Sequence, residues 1–184
     1  MKYQTDLIEL LSKDDQRMKA LDAVSSLQIV NCWIGAGFIR NAVWDALHGF
    51  SDQAIGGDVD VIWLDHQHSK QTDNLLEQKL RERLSGLDWS VKNQARMHIH
   101  NDDPPYSSIA QAMCNWPETA TAIAARIGRH AKIEVLAPFG LDDLFQLRLK
   151  PTRRFALEKH HIFQQRMAEK NWLTRYPQLT LLDD

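Results

Sequence analysis

The segment Asp58-Val59-Asp60-Val61-Ile62-Trp63-Leu64 constrains the fold more than any other stretch of this chain. Its first half alternates acid with valine, and the rest is apolar. A period of two belongs to a β-strand, whose successive side chains point to opposite faces. Asp58 and Asp60 therefore project together from one face at the start of a strand, just after Gly56-Gly57. Two ionised carboxylates held that close repel each other. Water can screen them, or a divalent cation can bridge them. Mg2+ commonly takes one or two carboxylates together with phosphate oxygens. A cation so placed aligns a triphosphate and neutralises charge on departing pyrophosphate. An isolated Asp-x-Asp is equally a solvated surface pair, so its surroundings have to decide.

The second informative stretch is Gly35-Ala36-Gly37. It follows the mostly apolar run Leu27 to Ile34, read as a buried strand, and opens a helix over about 37–48 that Gly49 closes. Small residues let a phosphate approach the backbone, and a helix start offers free N–H groups. Arg40 lies one turn into that helix, where a guanidinium could reach a phosphate. A packing glycine between strand and helix is the plainer alternative. The third glycine of a dinucleotide-binding fingerprint is missing.

Around these stretches the chain alternates helices with short strands. Residues 3–24 read as one amphipathic helix, 49–57 as a loop, and 68–84 as a polar helix with a leucine stripe. Trp89 to Asn93 reads as the third strand and Ile133 to Ala137 as the fourth. Helices are expected at 107–114 and 117–129, with Thr119 and Thr121 capping and lining the second. Helix is also expected from Gly140 onward, broken at Pro151. The pattern predicts an α+β domain with helices packed on one mixed sheet. Residues 1–150 are expected to form it, with 151–184 as a helical extension packed on it. A chain of 184 residues can bury a core of that size.

Charge excludes one class of partner. With 22 basic against 24 acidic residues and a net charge of −2, the chain lacks the basic surface of a general nucleic-acid binder. The N-terminal stretch lacks the pattern of a signal peptide, and no segment approaches 18 apolar residues. Cys32 and Cys114 both sit in apolar contexts and read as buried free thiols. A cytoplasmic protein is expected. His160-His161 has no second ligand pair at zinc spacing, and Asp142-Asp143 reads as a helix start with acids at the positive dipole end. Lys92, Asn93, Arg96 and His98 form a polar cluster that could hold a triphosphate or line a hydrated sheet edge.

Taken together, Trp33-Ile34-Gly35-Ala36-Gly37-Phe38-Ile39-Arg40-Asn41, Leu47-His48-Gly49 and Asp58-Val59-Asp60-Val61 resemble the nucleotidyltransferase superfamily, which includes polymerase-β-like enzymes. Arg40 after the turn and Leu47-His48-Gly49 before the loop look like the head of tRNA-nucleotide-adding enzymes. Asn41 to Asp45, Lys92 to His98, Pro117 to Ala122 and Ala137 to Phe145 are similar to a bacterial nucleotidyltransferase-like family. The resemblance covers about residues 30–150.

It implies a metal-dependent nucleotidyltransferase that moves a nucleoside monophosphate from an NTP to an unknown small acceptor. Mg2+ or Mn2+ would sit on Asp58 and Asp60. Gly35, Ala36, Gly37, Arg40, Asn41, Lys92, Asn93 and Arg96 would bind substrate. The alternative is a non-catalytic nucleotide-binding or regulatory module on the same fold. A glycosyltransferase could also use Asp-x-Asp, but usually needs a larger chain. Active members of the superfamily usually carry a further acid on a neighbouring strand. Lys92-Asn93 offers an amide at the expected place. Glu134 is the other candidate, catalytic if its strand faces a cleft and a solvated edge residue otherwise.

Overall fold

The computed structural model describes residues 1–50 and 53–182. Residues 51 and 52, within the expected 49–57 loop, lie outside the described residues. The single helix expected over 3–24 is two, α1 (Gln4–Ser12) and α2 (Asp15–Ser25). Asp14 breaks it: its backbone is extended and its side chain accepts from the Arg17 N–H, an N-cap that starts a new helix. The following strand, β1, is only Trp33–Gly35. Gln28 and Asn31 take positive φ (54° and 57°), so Leu27 to Asn31 cannot extend.

Next come α3 (Gly37–Leu47), β2 (Asp58–Trp63), α4 (Lys70–Arg83) and β3 (Asp88–Asn93), close to their expected bounds. A helix absent from the sequence reading follows at once, α5 (Gln94–Asn101), because the Asn93 side chain accepts from the Ala95 N–H and caps it. After α6 (Ile109–Met113) the helix expected over 117–129 is not there. The chain turns through 117–123 and enters β4 (Ala124–Ile127), which pairs antiparallel with both β1 and β5 (Ile133–Leu136). Alanines that favour a helix locally are overridden by two ladders of strand hydrogen bonds.

The C-terminal part holds α7 (Asp142–Phe145), β6 (Arg148–Leu149), α8 (Arg153–Ala156), α9 (His160–Lys170), α10 (Trp172–Arg175) and β7 (Thr180–Leu181). Against the helix expected throughout from Gly140, about half of the described residues there are helical, and β6 and β7 add a parallel pairing.

The main sheet has the order β3-β2-β1-β4-β5. β2 and β3 are parallel, joined by the crossover helix α4, and the other neighbours are antiparallel. One face carries Val59, Val61, Trp63, Ile34, Trp89 and Val91. These pack with Leu7, Leu11, Leu21, Ile39, Trp44, Leu76 and Leu80 from α1–α4 in the main core. The opposite face is covered only in part. There Trp33, Ile62 and Ala124 pack with Ile109, Met113 and Ala122 in a smaller cluster. Helices thus flank both faces of a mixed sheet, the expected α+β architecture. The uncovered end of the second face is where Asp58 and Asp60 emerge.

Candidate active site

Along β2 exposure alternates as the sequence requires: Asp58 is exposed, Val59 buried, Asp60 half-buried and Val61 buried. The valines are anchored in the main core, which fixes both carboxylates on the opposite face. The antiparallel register pairs Trp33 with Ile62 and Ile34 with Val61. One further step sets Asp60 opposite Gly35, so the acids lie beside the glycine turn.

That turn is crowded on the same face. A Cβ added to Gly35 would meet the Trp116 ring at 3.0 Å and the Ile123 carbonyl at 3.2 Å, so any larger residue there would have to displace one of them. Ala36 sits at φ 53°, ψ −126°, a backbone region that glycine takes far more readily. Its N–H donates to the Ile123 carbonyl and its own carbonyl accepts from the Arg40 N–H. The Ala36 amide is therefore engaged. No side chain caps α3, and its first amides remain at the start of the helix beside the acids.

The Asp60 carboxylate has no hydrogen bond or ion pair among the described residues, and it is pushed up to about 6. Burial is the largest cause, and the Asp58 charge adds to it. Lys92, Arg166 and Arg40 pull in the opposite direction, in that order. Lys92 belongs here because β3 runs in register with β2, pairing Asp58 with Asp88, Asp60 with Ser90 and Ile62 with Lys92. In-register neighbours share a face, so Asp88, Ser90 and Lys92 stand beside the aspartates.

Arg40 is engaged within the protein. Its residue is only 6% exposed. Nε and Nη2 donate to Asn41 Oδ1, and Nη1 donates to Thr121 Oγ1 at 3.0 Å. Its guanidinium lies 5.0 Å from the Trp44 ring centre and 4.3 Å from that of Trp172. Burial lowers its pKa to about 10, and the Glu118 charge is the main counterweight. Arg40 and Asn41 thus tie α3 to the 117–123 turn and the C-terminal part. Both side chains lie beside the glycine turn, where a Cβ added to Gly37 would meet Arg40 Nη2 at 3.4 Å and Asn41 Nδ2 at 3.7 Å. Thr121 takes part in that tie, and the Thr119 hydroxyl donates to Asp143 at 2.7 Å, so neither lines a helix.

Two other residues of the polar cluster are spent elsewhere. Asn93 is fully buried on the main-core face; besides capping α5 it accepts from the Asp65 N–H and donates to the Asp65 carbonyl. Arg96 pairs with Asp73 and donates to the His68 carbonyl. Asp73 is itself buried, and also accepts from the Trp63 indole N–H. Both residues hold the β2–α4–β3 crossover together.

Glu134 is not brought to the aspartates. It shares their face of the sheet, but β5 is the third strand from β2, so the strands alone separate them by about 14 Å. Glu134 faces Arg126 across the β4–β5 register, and the two form an ion pair at 2.7 Å. Arg126 in turn lies 4.2 Å over the Trp33 ring.

Among the described residues no three His, Cys, Asp or Glu side chains gather closely enough to hold a metal ion. Both cysteines are free, but only Cys32 is buried, its thiol pushed up to about 12 by burial; Cys114 is exposed, contrary to the sequence reading. A 410 Å3 cavity bounded by α1, α2 and α3, with Asp14, Arg17, Asp45 and Phe50 in its wall, contains none of the β2 acids. No described helix is long and apolar enough to cross a membrane.

A nucleotidyltransferase family model matches residues 22–181. The chain belongs to that nucleotidyltransferase family. A protein solved by NMR, whose structure reveals a CCA-adding enzyme head domain, is 30% identical. It aligns with a TM-score of 0.85 over 100% of this chain and 98% of its own. A tRNA-processing enzyme in an apo form aligns with a TM-score of 0.58 at 15% identity, over 89% of this chain and 44% of its own, a likeness of fold alone. No curated protein matches. Family and fold together support nucleotidyl transfer as the general chemistry. This nucleotidyltransferase joins its turn and its acids by the β1–β2 pairing described above.

Sequence reasoning missed two neighbours of the acids. Asp88-Trp89-Ser90-Val91-Lys92 alternates polar with apolar much as Asp58 to Val61 does, and starting the third strand at Trp89 concealed its first acid. Arg166 gave no signal, because a helix that docks from far along the chain leaves no local pattern.

Proposed function

We propose that this nucleotidyltransferase is metal-dependent and transfers a nucleoside monophosphate from an NTP to a small acceptor. The observation that carries the reading is the Asp58–Asp60 pair beside the Gly35–Gly37 turn, without an ion-pair partner among the described residues and with the Asp60 carboxyl pushed up to about 6. Two close carboxylates without a hydrogen-bond donor are destabilised unless a cation or a proton joins them. That donor set fits Mg2+ or Mn2+ held by one or two carboxylates with phosphate oxygens completing the shell. The cation would supply charge neutralisation at the phosphates.

The protein's own groups have distinct parts. The start of α3 offers its amides and positive dipole end to the phosphates. Gly35 and Trp116 form the wall beside them. Lys92 adds positive charge from β3. The acceptor oxygen forms a bond to the α-phosphorus while the bond to the β-phosphate bridge breaks, and pyrophosphate leaves. The acceptor's proton needs a base, and we assign it to Asp88, whose in-register position beside Asp58 makes it the acid of the neighbouring strand.

The test is pyrophosphate release from each NTP with Mn2+, for wild type, Asp60→Asn and Asp88→Asn. Release by wild type that falls in both variants is expected. Equal release from wild type and Asp60→Asn would refute the site. Nucleotide binding without release by wild type would favour the regulatory module instead.

A further inference from the structure

The expected phosphate-binding guanidinium, Arg40, is buried and makes three hydrogen bonds to Asn41 and Thr121, and a second guanidinium shares its Trp172 ring. Arg166 on α9 donates its Nε to Glu118 Oε1 at 2.5 Å. Its guanidinium carbon lies 5.2 Å from the centre of the Trp172 ring, the same indole that stacks on Arg40. Glu118 is completely buried, and its Oε2 has no hydrogen-bond partner.

This pairing is unlike a purely structural one. An arginine that serves only to neutralise a buried carboxylate does so best through a two-pronged contact that satisfies both oxygens. Arg166 makes a one-pronged contact through Nε, and among the described residues its two Nη groups have no hydrogen-bond acceptor. Its side chain is 28% exposed, whereas Glu118 is sealed. The Glu118 carboxylate and the Trp172 ring thus hold the base of the guanidinium and leave its outer edge open. Arg166 and Arg40 lie against the same Trp172 ring, and the charges of both act on Asp60, so Arg166 is within electrostatic reach of the acids.

We propose that Arg166, anchored by Glu118, binds the triphosphate tail of the nucleotide at the Asp58–Asp60 site. The C-terminal helix then forms part of the nucleotide site rather than a prop behind it. A planar guanidinium with both Nη groups free suits non-bridging phosphoryl oxygens, and it adds the most where charge accumulates on pyrophosphate. The proposal rests on the nucleotidyltransferase reading, and the experiment separates the two.

Equilibrium affinities for ATP, GTP, CTP and UTP, and for the matching monophosphates, are measured with Mn2+ on wild type, Arg166→Gln and Arg166→Lys. Melting temperatures without ligand check the fold. Arg166→Gln is expected to weaken the preferred NTP by about 10- to 100-fold and its monophosphate by less than about twofold. A structural role alone would move both alike. Arg166→Lys keeps the charge but not the fork, and is expected to weaken the NTP by about fivefold or more. That variant decides the matter where Arg166→Gln does not fold. NTP affinity unchanged in the folded variants, or NTP and monophosphate weakened equally, would overturn the proposal while leaving the enzyme reading intact. Failure of wild type to bind any nucleotide would overturn both.

Discussion

Two acidic positions on one face of the same sheet behave in opposite ways. At the β2–β3 edge, Asp58 and Asp60 have valines beneath them, each other beside them and, among the described residues, no side-chain or backbone donor on their carboxylates. At the β4–β5 edge, Glu134 meets Arg126 at 2.7 Å, and Arg126 lies on Trp33. The first arrangement leaves a carboxylate whose ionisation is opposed; the second completes an ion pair within the protein. A carboxylate already satisfied by its neighbours has nothing left to offer a ligand. One that the fold holds unsatisfied is costly and persists where a ligand repays it. Position on a strand among apolar residues made both look alike in sequence. The partner across the ladder is what separates them.

The largest expected effect breaks the comparison through catalysis. Asp60→Asn should lower pyrophosphate release by on the order of 10²–10³-fold. Glu134→Gln should leave it within about twofold of wild type, because about 14 Å of sheet separates the sites. Steady-state release with saturating NTP and Mn2+ checks both. A large loss in Glu134→Gln with an unchanged melting temperature would contradict the contrast.

Stability sharpens it next, and the sign follows from the pKa. The Asp60 carboxyl titrates near 6 in the folded chain and near 3.8 in its ordinary state. A raised carboxyl pKa means the folded protein holds the proton more tightly than the unfolded one. The stabilisation is therefore complete below about 4 and is lost as pH rises through about 6. Asp60→Asn has no such loss. Metal-free, it should exceed wild type by about 1–2 kcal/mol at pH 8, about 2–8 °C in melting temperature, with the gap closing by pH 4. Melts in EDTA across that range decide the matter; a gap that widens toward acid would reverse the assignment.

Glu134→Gln should go the other way and less far. Its ion pair is partly exposed, with side chains 29% and 39% accessible, so about 0.5 kcal/mol of destabilisation is expected, shrinking in 1 M salt. A gain in stability would show Glu134 to be as unsatisfied as Asp60. The smallest effect concerns the turn that Asp60 faces. Ala36→Gly removes a methyl from a strained backbone but adds freedom to the unfolded chain, which offsets most of the relief, for a net gain below about 0.5 kcal/mol. Denaturant melts would show it as a higher midpoint at constant slope.

What the sequence revealed follows the range of each interaction. The alternation of Asp58 to Val61 and the small-residue turn before α3 are local patterns, and both the elements and the shared face of the acids follow from them. The α+β class was legible for the same reason. The segment 117–129 was not, because Ala120, Ala122, Ala124 and Ala125 favour a helix and only β1 and β5 make 124–127 a strand. Arg40 could be placed one turn into α3, but its burial depends on Trp172 and Thr121, which come from far along the chain. Asn93 and Arg96 were read as a surface cluster because their partner Asp73 lies across the crossover.

The most direct measurement is Mn2+ binding followed by electron paramagnetic resonance, with the preferred NTP present, on wild type, Asp60→Asn and Glu134→Gln. The account predicts that wild type and Glu134→Gln bind Mn2+ alike, and that Asp60→Asn loses at least about tenfold in affinity while remaining folded. Equal affinity in wild type and Asp60→Asn, or a loss confined to Glu134→Gln, would contradict it.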